Sequence, residues 1–288
     1  MNTLETRIHS LFGNDVQIIS RRSLAGGCIN DSAALNLSNG DTIFLKQNTL
    51  AHPQMFEAEA VGLTRLACDG GPRVPTPIAA FSDSTQQYLL LEFLESGKRD
   101  ADYWEQFGRQ LAHLHQTVRH AKFGFEIDNF IGATPQYNEM KSSWILFYRE
   151  MRLEPQIRMA ASYLSSRLRR SLDRMMDNLD TLILEPDGDA SILHGDLWSG
   201  NAMTGPFGEP VIIDPATYFG HREAEIAMTQ LFGRFGGHFY AAYNEYWPMQ
   251  AGWQERMDMY NLYHMLNHVN LFGSGYLGSV ESIINRYT

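Results

Sequence analysis

The hydrophobic pattern changes type partway along the chain, and this change restricts the folds that the chain can adopt. Before about residue 95, short β-branched and aromatic runs predict strands. These runs lie at 16–20, 32–37, 42–46, 77–81 and 88–93. The pair Asn39-Gly40 separates two of them and predicts a hairpin. One helix interrupts the strands, beginning at Pro53 and ending near Cys68, before Gly70-Gly71-Pro72.

From about residue 100 the apolar residues recur at helical spacing instead. One stripe contains Trp104, Phe107, Leu111, Leu114 and His115, and a second contains Leu164, Leu168, Leu172, Met175 and Leu179. Two short strand-and-loop units follow at 191–205 and 209–215, and the remainder is helical in pattern. With a boundary near Glu95-Ser96-Gly97, the pattern predicts an α+β protein with two lobes. A small antiparallel-sheet lobe spans 1–95 and a larger helical lobe spans 96–288.

Composition excludes several classes of function. Apolar residues make up 44% and charged residues 19%, which is typical of a globular protein. The net charge of −10, without a basic run, argues against nucleic acid or an anionic membrane as a partner. No apolar run approaches the ~18 residues of a membrane span, and the first residues do not form a signal-peptide pattern. With only two cysteines, Cys28 and Cys68, we expect a cytoplasmic protein.

The most informative motif is the string from His194 to Asn201, His-Gly-Asp-Leu-Trp-Ser-Gly-Asn, followed by Val-Ile-Ile-Asp ending at Asp214. Phosphoryl transfer needs a carboxylate that receives the proton of the attacking hydroxyl and oxygen ligands for Mg²⁺. Asp196 and Asn201 are five positions apart, the spacing of a kinase catalytic loop, and Asp214 ends an apolar run. Alternatively, Asp196 and Asn201 are turn residues and Asp214 caps a helix.

Lys46 and Glu59 form a second candidate pair. Lys46 ends the run Thr-Ile-Phe-Leu-Lys, from where its ammonium can reach nucleotide phosphates. Glu59 shares a helix face with Phe56 and Leu63. A carboxylate on an inward face needs a partner, because burial without one costs several kcal/mol. Lys46 is the expected partner, although a strand-end lysine and a glutamate at the edge of the apolar face are the simpler alternatives.

A glycine-containing segment, Gly26-Gly27-Cys28-Ile29-Asn30, lies between the first two predicted strands. Glycines there would let backbone N–H groups approach phosphates. Gly-Gly is also common in hairpins, so the position of the segment before Lys46 carries the prediction. Cys28 is either an exposed thiol beside the phosphate site or an inert small residue.

In this order, these residues resemble the protein-kinase-like superfold. Longer strings resemble the fructosamine (ketosamine) kinases specifically, and the resemblance covers nearly the whole chain. They are Leu193–Asn201, Asp214–Glu225, Met55–Glu59 and Tyr263–His268. Trp198 stands where a protein kinase has a basic residue, and no long activation segment separates Asp214 from the next helix near Glu223. Both features favour a small-molecule substrate.

The resemblance implies ATP-dependent phosphorylation of the carbon-3 hydroxyl of fructosamines or ribulosamines, free or protein-bound, which initiates deglycation. Asp196 would be the proton acceptor, and Asn201 and Asp214 would hold Mg²⁺. Lys46, oriented by Glu59, would contact the phosphates together with the segment 26–30. The backbone of Glu92, Phe93 and Leu94 would meet the adenine. An aminoglycoside or choline-type kinase is the alternative, and a nucleotide-binding pseudokinase a more distant one; a monomer is favoured.

Some residues of the resembling strings have no assigned role. Trp198, Tyr218, His221, Arg222 and Glu223 are candidate substrate contacts, although the last three could equally be scaffold contacts. Tyr263, His264 and His268 lie on one helix, where core histidines with neighbouring partners are the simpler interpretation. Glu225 departs from the Asp expected in relatives, where this carboxylate accepts backbone N–H groups of the catalytic loop. Because Glu is one methylene longer, the departure leaves the geometry of that loop open.

Overall fold

The computed structural model describes residues 3–24 and 30–287. Within them, the first lobe is an antiparallel sheet flanked by two helices. Its elements are α1 (Thr3–Phe12), β1 (Ile18–Ser23), β2 (Asp31–Leu37), β3 (Thr42–Thr49), α2 (Met55–Leu66), β4 (Pro77–Ser82) and β5 (Gln86–Glu92). The strand order is β1-β2-β3-β5-β4. The predicted hairpin at Asn39-Gly40 is confirmed, because β2 and β3 pair with Asn36 opposite Thr42.

The central strands bury both faces, each against a different helix. Along β5, Tyr88 and Leu90 pack toward α1, whereas Leu89 and Leu91 pack against α2. This alternation follows from the two-residue period of a strand. Helix α2 contributes Phe56 and Leu63 to its side of the sheet, so Glu59 on the same face is directed inward, toward β3.

The second lobe is mainly helical. Its helices are α3 (Tyr103–Thr117), α4 (Trp144–Phe147), α5 (Glu154–Met159), α6 (Ser166–Asp177), α7 (Leu179–Leu182), α8 (Arg222–Leu231), α9 (Gly237–Tyr246), α10 (Trp253–Phe272) and α11 (Leu277–Tyr287). Its strands are β6 (Arg119–His120), β7 (Asn129–Ile131), β8 (Thr134–Gln136), β9 (Ala190–Leu193), β10 (Ala202–Thr204), β11 (Pro210–Ile212) and β12 (Tyr218–Gly220). Strands β12, β9 and β6 form one small sheet, and β10–β11 and β7–β8 are hairpins.

The second apolar stripe corresponds to two helices, not one. Helix α6 begins after Ser165, whose hydroxyl accepts the N–H of Leu168, so Leu164 lies before the helix. Asn178 then separates α6 from the short α7, which contains Leu179. The five apolar residues nevertheless all belong to the large core of this lobe, because burial selects them regardless of the helix break.

The two lobes are joined by backbone as well as side-chain contacts. Arg73, between α2 and β4, forms a parallel bridge to Val211 of the β10–β11 hairpin. Its N–H donates to the carbonyl of Pro210 at 3.0 Å, and its own carbonyl accepts from Ile212 at 2.9 Å. The Arg73 guanidinium also pairs with Glu209 of the second lobe at 2.8 Å, and with Glu92 of its own lobe at 2.6 Å. No helix within the described residues is both long and apolar enough to cross a membrane.

Candidate active site

The loop after β9 carries the central motif and needs glycine at its start. Gly195 has φ +84°, and a Cβ there would lie 2.1 Å from the carbonyl oxygen of Ala216. A non-glycine residue would therefore meet both left-handed strain and a backbone clash. This close approach brings the loop at 194–201 against the segment that follows Asp214.

Glu225, in the first turn of α8, holds the backbone of this loop. Its two carboxylate oxygens accept the N–H groups of His194 and Gly195, the latter at 3.0 Å. His115 Nε2 lies 3.6 Å from the same carboxylate. The longer glutamate side chain thus makes the bonds that the resemblance assigns to an aspartate, and the loop geometry is retained.

His194 links the two acidic segments of the site. Its Nε2 contacts the carbonyl of Ile213 at 2.8 Å, and the N–H of Asp196 donates to its Nδ1 at 3.3 Å. Burial lowers the pKa of His194, so the ring is neutral with its proton on Nε2. The ring therefore fixes the distance between the Asp196 loop and the strand end that carries Asp214.

Asp196 and Asn201, five positions apart in the loop, lie side by side. The Asn201 amide nitrogen donates to the Asp196 carbonyl at 2.8 Å and to its Oδ2 at 3.1 Å. Burial, reinforced by the nearby Asp214 carboxylate, raises the pKa of Asp196 well above its usual range. A carboxylate with increased proton affinity, held by an amide, is suited to receive a proton from a hydroxyl.

Lys46 is bound by two carboxylates at once. Its Nζ lies 2.6 Å from Glu59 Oε1, which confirms the predicted pair, and 2.6 Å from Asp214 Oδ1. Burial alone would lower the pKa of Lys46, but Asp214 and Glu59 outweigh it and the net shift is upward. The lysine is therefore a buried, permanently charged ammonium, only 3% exposed.

The backbone of Asp214 is in the left-handed region, with φ +57°. This conformation is uncommon for a residue other than glycine, although Asp tolerates it better than most, and such residues cluster at functional sites. It directs the carboxylate toward Lys46 and the cavity between the lobes.

That cavity measures about 460 Å³ and has two chemically different ends. One end is lined by Lys46, Glu59, Asp196, Asn201 and Asp214. The other is mainly apolar and includes Trp198, Phe232, Leu271, Phe272 and Tyr276. The predicted polar residues therefore meet at one end of a space large enough for small molecules.

The polar end has the oxygen donors that Mg²⁺ prefers, but not a complete protein cage. No group of three or more His, Cys, Asp or Glu side chains suited to a metal occurs within residues 3–24 and 30–287. Asn201 uses its amide nitrogen for Asp196, which leaves its Oδ1 available, and Asp214 is 39% exposed at its side chain. Such a sparse oxygen set fits Mg²⁺ held jointly with nucleotide phosphates.

The residues predicted to contact the nucleotide do not all lie in the cavity as the structure describes it. Asn30 lines the cavity and accepts from the Asn48 amide at 2.7 Å. Gly26, Gly27, Cys28 and Ile29 lie outside the described residues. The Glu92 carboxylate is directed to Arg73 and to the N–H of Thr76. Phe93 packs under the Arg22 guanidinium at 5.9 Å. The backbone contact predicted for residues 92–94 stays a prediction.

Of the candidate substrate residues, the structure brings Trp198 into the cavity and places Tyr218, His221, Arg222 and Glu223 in the scaffold. The buried Arg152 guanidinium lies over the Tyr218 ring, with its Cζ 4.0 Å from the ring centroid. His221 accepts the Glu223 N–H and so caps α8, and burial lowers its pKa to about 4.

Arg222 and Glu223 have structural partners that explain their inward positions. Arg222 donates to the carbonyls of Trp247 and Pro248 and stacks on the Trp247 ring at 3.7 Å. Glu223 forms a two-pronged ion pair with Arg256, at 2.6 and 2.8 Å. Of the two alternatives weighed for His221, Arg222 and Glu223, the scaffold role is the one that the geometry shows.

Helix α10, which carries Tyr263, His264 and His268, contributes side chains both to the core and to the cavity. The Tyr263 hydroxyl donates to Gln136 at 2.7 Å, and His264 is buried, which lowers its pKa to about 3. His268, by contrast, lines the cavity. Phe272 and Tyr276 also line the cavity and were not predicted from the sequence. They follow His268 at intervals of four, and that spacing was the available signal for a shared face.

Solved structures of distant sequence define the class of this fold. An aminoglycoside phosphotransferase, solved with AMP-PNP and hygromycin B, has a TM-score of 0.64 to this chain and covers 99% of both chains. Its sequence identity is 14%, so this likeness concerns the fold alone. The expected bilobal, protein-kinase-like α+β fold is confirmed.

Closer comparisons show the family. The fructosamine kinase family model matches residues 1–288. A candidate ketoamine kinase of Synechocystis sp. is 41% identical over 290 residues, which is 99% of this chain and 95% of that protein. A chloroplastic protein-ribulosamine 3-kinase of Oryza sativa subsp. japonica is 42% identical, over 96% of this chain and 80% of that protein. The structure of a candidate fructosamine-3-kinase from Thermobifida fusca has 31% identity and a TM-score of 0.88, covering 100% and 99%. The chain belongs to the fructosamine kinase family.

Proposed function

We propose that this protein transfers the γ-phosphoryl group of ATP to the carbon-3 hydroxyl of a ketoamine sugar. The hydroxyl O–H bond breaks, an O–P bond forms, and the bond between the γ-phosphorus and the departing ADP oxygen breaks. The observation that supports this most is the convergence of Lys46, Asp196, Asn201 and Asp214 at one end of a single cavity. Family membership supports the ketoamine as the acceptor.

Asp196 is the proton acceptor in this proposal. Its carboxylate lines the cavity together with Trp198, which lies two positions further along the same loop. The Asn201 amide and the bonds from Glu225 to the loop backbone hold it in one orientation. Because burial raises its pKa, it takes up a proton more readily than an exposed aspartate does.

Lys46 and Glu59 position the phosphates, together with backbone N–H groups of the segment 26–30. Lys46 is already protonated. When ATP binds, the Lys46 ammonium would donate to a phosphate oxygen as well as to Asp214. Asp214 and Asn201 would hold Mg²⁺, which when bound offsets phosphate charge. The lobes 1–95 and 96–288 then contribute opposite walls, with the backbone of 92–94 facing the adenine.

A panel of acceptors tests the proposal. ATP consumption with Mg²⁺ would be measured with a fructosamine, a ribulosamine, an aminoglycoside and choline, and the site of phosphate would be located by NMR. We expect turnover on a ketoamine with the phosphate on carbon 3. Turnover only on the aminoglycoside or choline would refute the substrate, and ATP binding without turnover on any acceptor would indicate a pseudokinase.

Replacing the proton acceptor tests the mechanism. Asp196→Asn keeps the shape and the Asn201 contact but removes the basic oxygen. We expect turnover to fall at least about 100-fold, within the range typical of a lost general base, with little change in ATP affinity. Asp180→Asn, at an exposed position on α7, is the matched control and should keep full activity. Near-normal turnover of Asp196→Asn would exclude this role.

A further inference from the structure

The apolar end of the cavity is a continuous row of rings that begins at Trp198, two positions after Asp196 in the same loop. Trp198 meets Phe232 edge to face, with ring centroids 6.1 Å apart. Phe232 lies 4.5 Å from His268, which contacts Phe272 at 5.4 Å and Tyr276 at 5.0 Å. The row is formed by the loop after β9, the end of α8 and the end of α10 with the turn after it. Its far end, at Phe272, reaches the surface.

The side chains at the outer end of this row are unusually exposed for apolar and aromatic residues. Phe272 is 52% exposed, and Leu271 and Tyr276 beside it are only half-buried. When an apolar group covers an exposed aromatic side chain in a cavity, both surfaces are removed from water, and this lowers the free energy of the complex. The outer wall, defined here as Phe232, Leu271, Phe272 and Tyr276, thus favours an apolar occupant.

The charges of the cavity are confined to its other end. Lys46, Glu59, Asp196 and Asp214 are the charged side chains among the described residues that line it, and Lys46 is already bound by two carboxylates. His268 is neutral, because burial lowers its pKa. The segment 25–29, outside the described residues, contains no charged side chain. A carboxylate entering at the outer wall would find no cation and would approach a net negative site.

We propose that the outer wall binds the amine portion of the ketoamine and selects amines that are apolar next to the nitrogen, disfavouring those that carry an α-carboxylate. The selectivity rests on the function proposed above, and it names the substrate class within it. The sugar would occupy the space between Asp196 and Trp198, and the amine substituent would extend along the row of rings. Ketoamines of alkyl and arylalkyl amines would be preferred to those of free α-amino acids linked through their α-nitrogen.

Two substrates that differ by a single group test this selectivity. The ketoamines of 2-phenylethylamine and of phenylalanine, made with the same sugar, differ only in the α-carboxylate. We expect kcat/KM to be at least about tenfold higher for the 2-phenylethylamine compound, since an unpaired charge near a desolvated site is costly. Equal values, or a preference for the phenylalanine compound, would overturn the proposal.

Variants connect the preference to the wall. Phe272→Ala should lower kcat/KM for the 2-phenylethylamine ketoamine about fivefold or more, but leave the methylamine ketoamine within about twofold. Phe207→Ala, which truncates a phenylalanine that is 83% exposed in a turn away from the cavity, is the matched control. An equal loss on both substrates would overturn the proposal, because it would indicate a structural role for Phe272.

A gain of function completes the test. Leu271→Arg places a cation at the outer wall and should raise kcat/KM for the phenylalanine ketoamine, reducing the preference at least about threefold. An unchanged ratio would count against the assigned position of the amine portion. These results are distinguishable from failure of the proposed function, because in that case no ketoamine of any amine would be turned over.

Discussion

Glu225 offers the sharpest test of how this active site is assembled. Its carboxylate is almost fully buried, at 2% exposure, and accepts two backbone N–H groups from His194 and Gly195. The catalytic-loop residue Asp196 follows directly. We therefore expect changes at Glu225 to affect both the stability of the fold and the orientation of the proton acceptor.

The expected loss of stability follows from the number of hydrogen bonds that Glu225 accepts. Glu225→Ala leaves two buried N–H groups without an acceptor, and each costs about 1–3 kcal/mol, or roughly 2–6 kcal/mol of unfolding free energy in total. Glu225→Gln keeps one accepting oxygen but turns an NH₂ group toward the other N–H, so we expect a loss of about 1–3 kcal/mol. Glu225→Asp retains both oxygens on a shorter side chain and should be the least affected.

Equilibrium urea unfolding, followed by circular dichroism, measures these losses. Turnover of the preferred ketoamine would be measured below the unfolding transition of each variant. A misplacement of about 1 Å at the reacting group can cost about 100-fold, so we expect Glu225→Gln to lose at least tenfold in kcat while folded. Glu281→Gln, at an exposed position on α11, is the matched control.

If Glu225→Gln left the unfolding free energy within about 0.5 kcal/mol of the wild type, a typical surface effect, and kcat unchanged, Glu225 would have neither role. A variant that loses stability but keeps kcat would separate the two effects. Glu225 would then support the core without positioning Asp196.

The remaining predictions concern titration and backbone strain. In ligand-free protein, NMR titration should give Asp196 a pKa well above its ordinary value of about 4, and Asp214→Asn should lower it because a like charge is removed; an Asp196 pKa at or below 4 would contradict the described burial. His264 has its pKa lowered to about 3, so the unfolded chain binds a proton that the folded protein excludes. Stability should thus fall as pH drops below about 6.5, by about 1.4 kcal/mol per unit from this residue, and His264→Gln should flatten the slope measured by urea unfolding at several pH values. Gly195→Ala should destabilise by over ~2 kcal/mol, whereas Gly188→Ala, with φ +99° but its nearest atom 3.5 Å away, carries only the conformational cost of about 1 kcal/mol; equal thermal shifts would argue against the clash.

Local sequence patterns predicted much of the fold and the polar end of the cavity. The Asn39-Gly40 turn and the continuous apolar run of β5 are short-range signals, so they could be identified directly. The Lys46–Glu59 pair was predictable because a carboxylate on an apolar helix face needs a cation, and few candidates precede it. The third member, Asp214, was not assigned to this pair because its contact spans 168 positions of sequence.

Other residues could not be assigned from the sequence because their partners lie far along the chain. Arg222 and Glu223 are charged residues of the kind that often line substrate sites, yet each is satisfied by a group from α10 or the loop before it. Phe232 and Phe272 have no polar signature at all. They become part of the cavity only because α8 and α10 end near each other in space.

The attachment at Arg73 determines how the lobes can move relative to each other. A rotation that separates them at this point would break two backbone hydrogen bonds and the Arg73–Glu209 ion pair, whereas a rotation about an axis through it would break none. Helix α2 touches the second lobe as well, where Gly62 approaches Thr217 and Arg65 pairs with Glu126. Within the sheet, the β1–β2 edge lies furthest from an axis through Arg73 and α2, so it would move the most. A rotation of the lobes about that axis would carry this edge across the cavity, and would move Lys46 less, because its ammonium is bound to Glu59 of α2 at 2.6 Å.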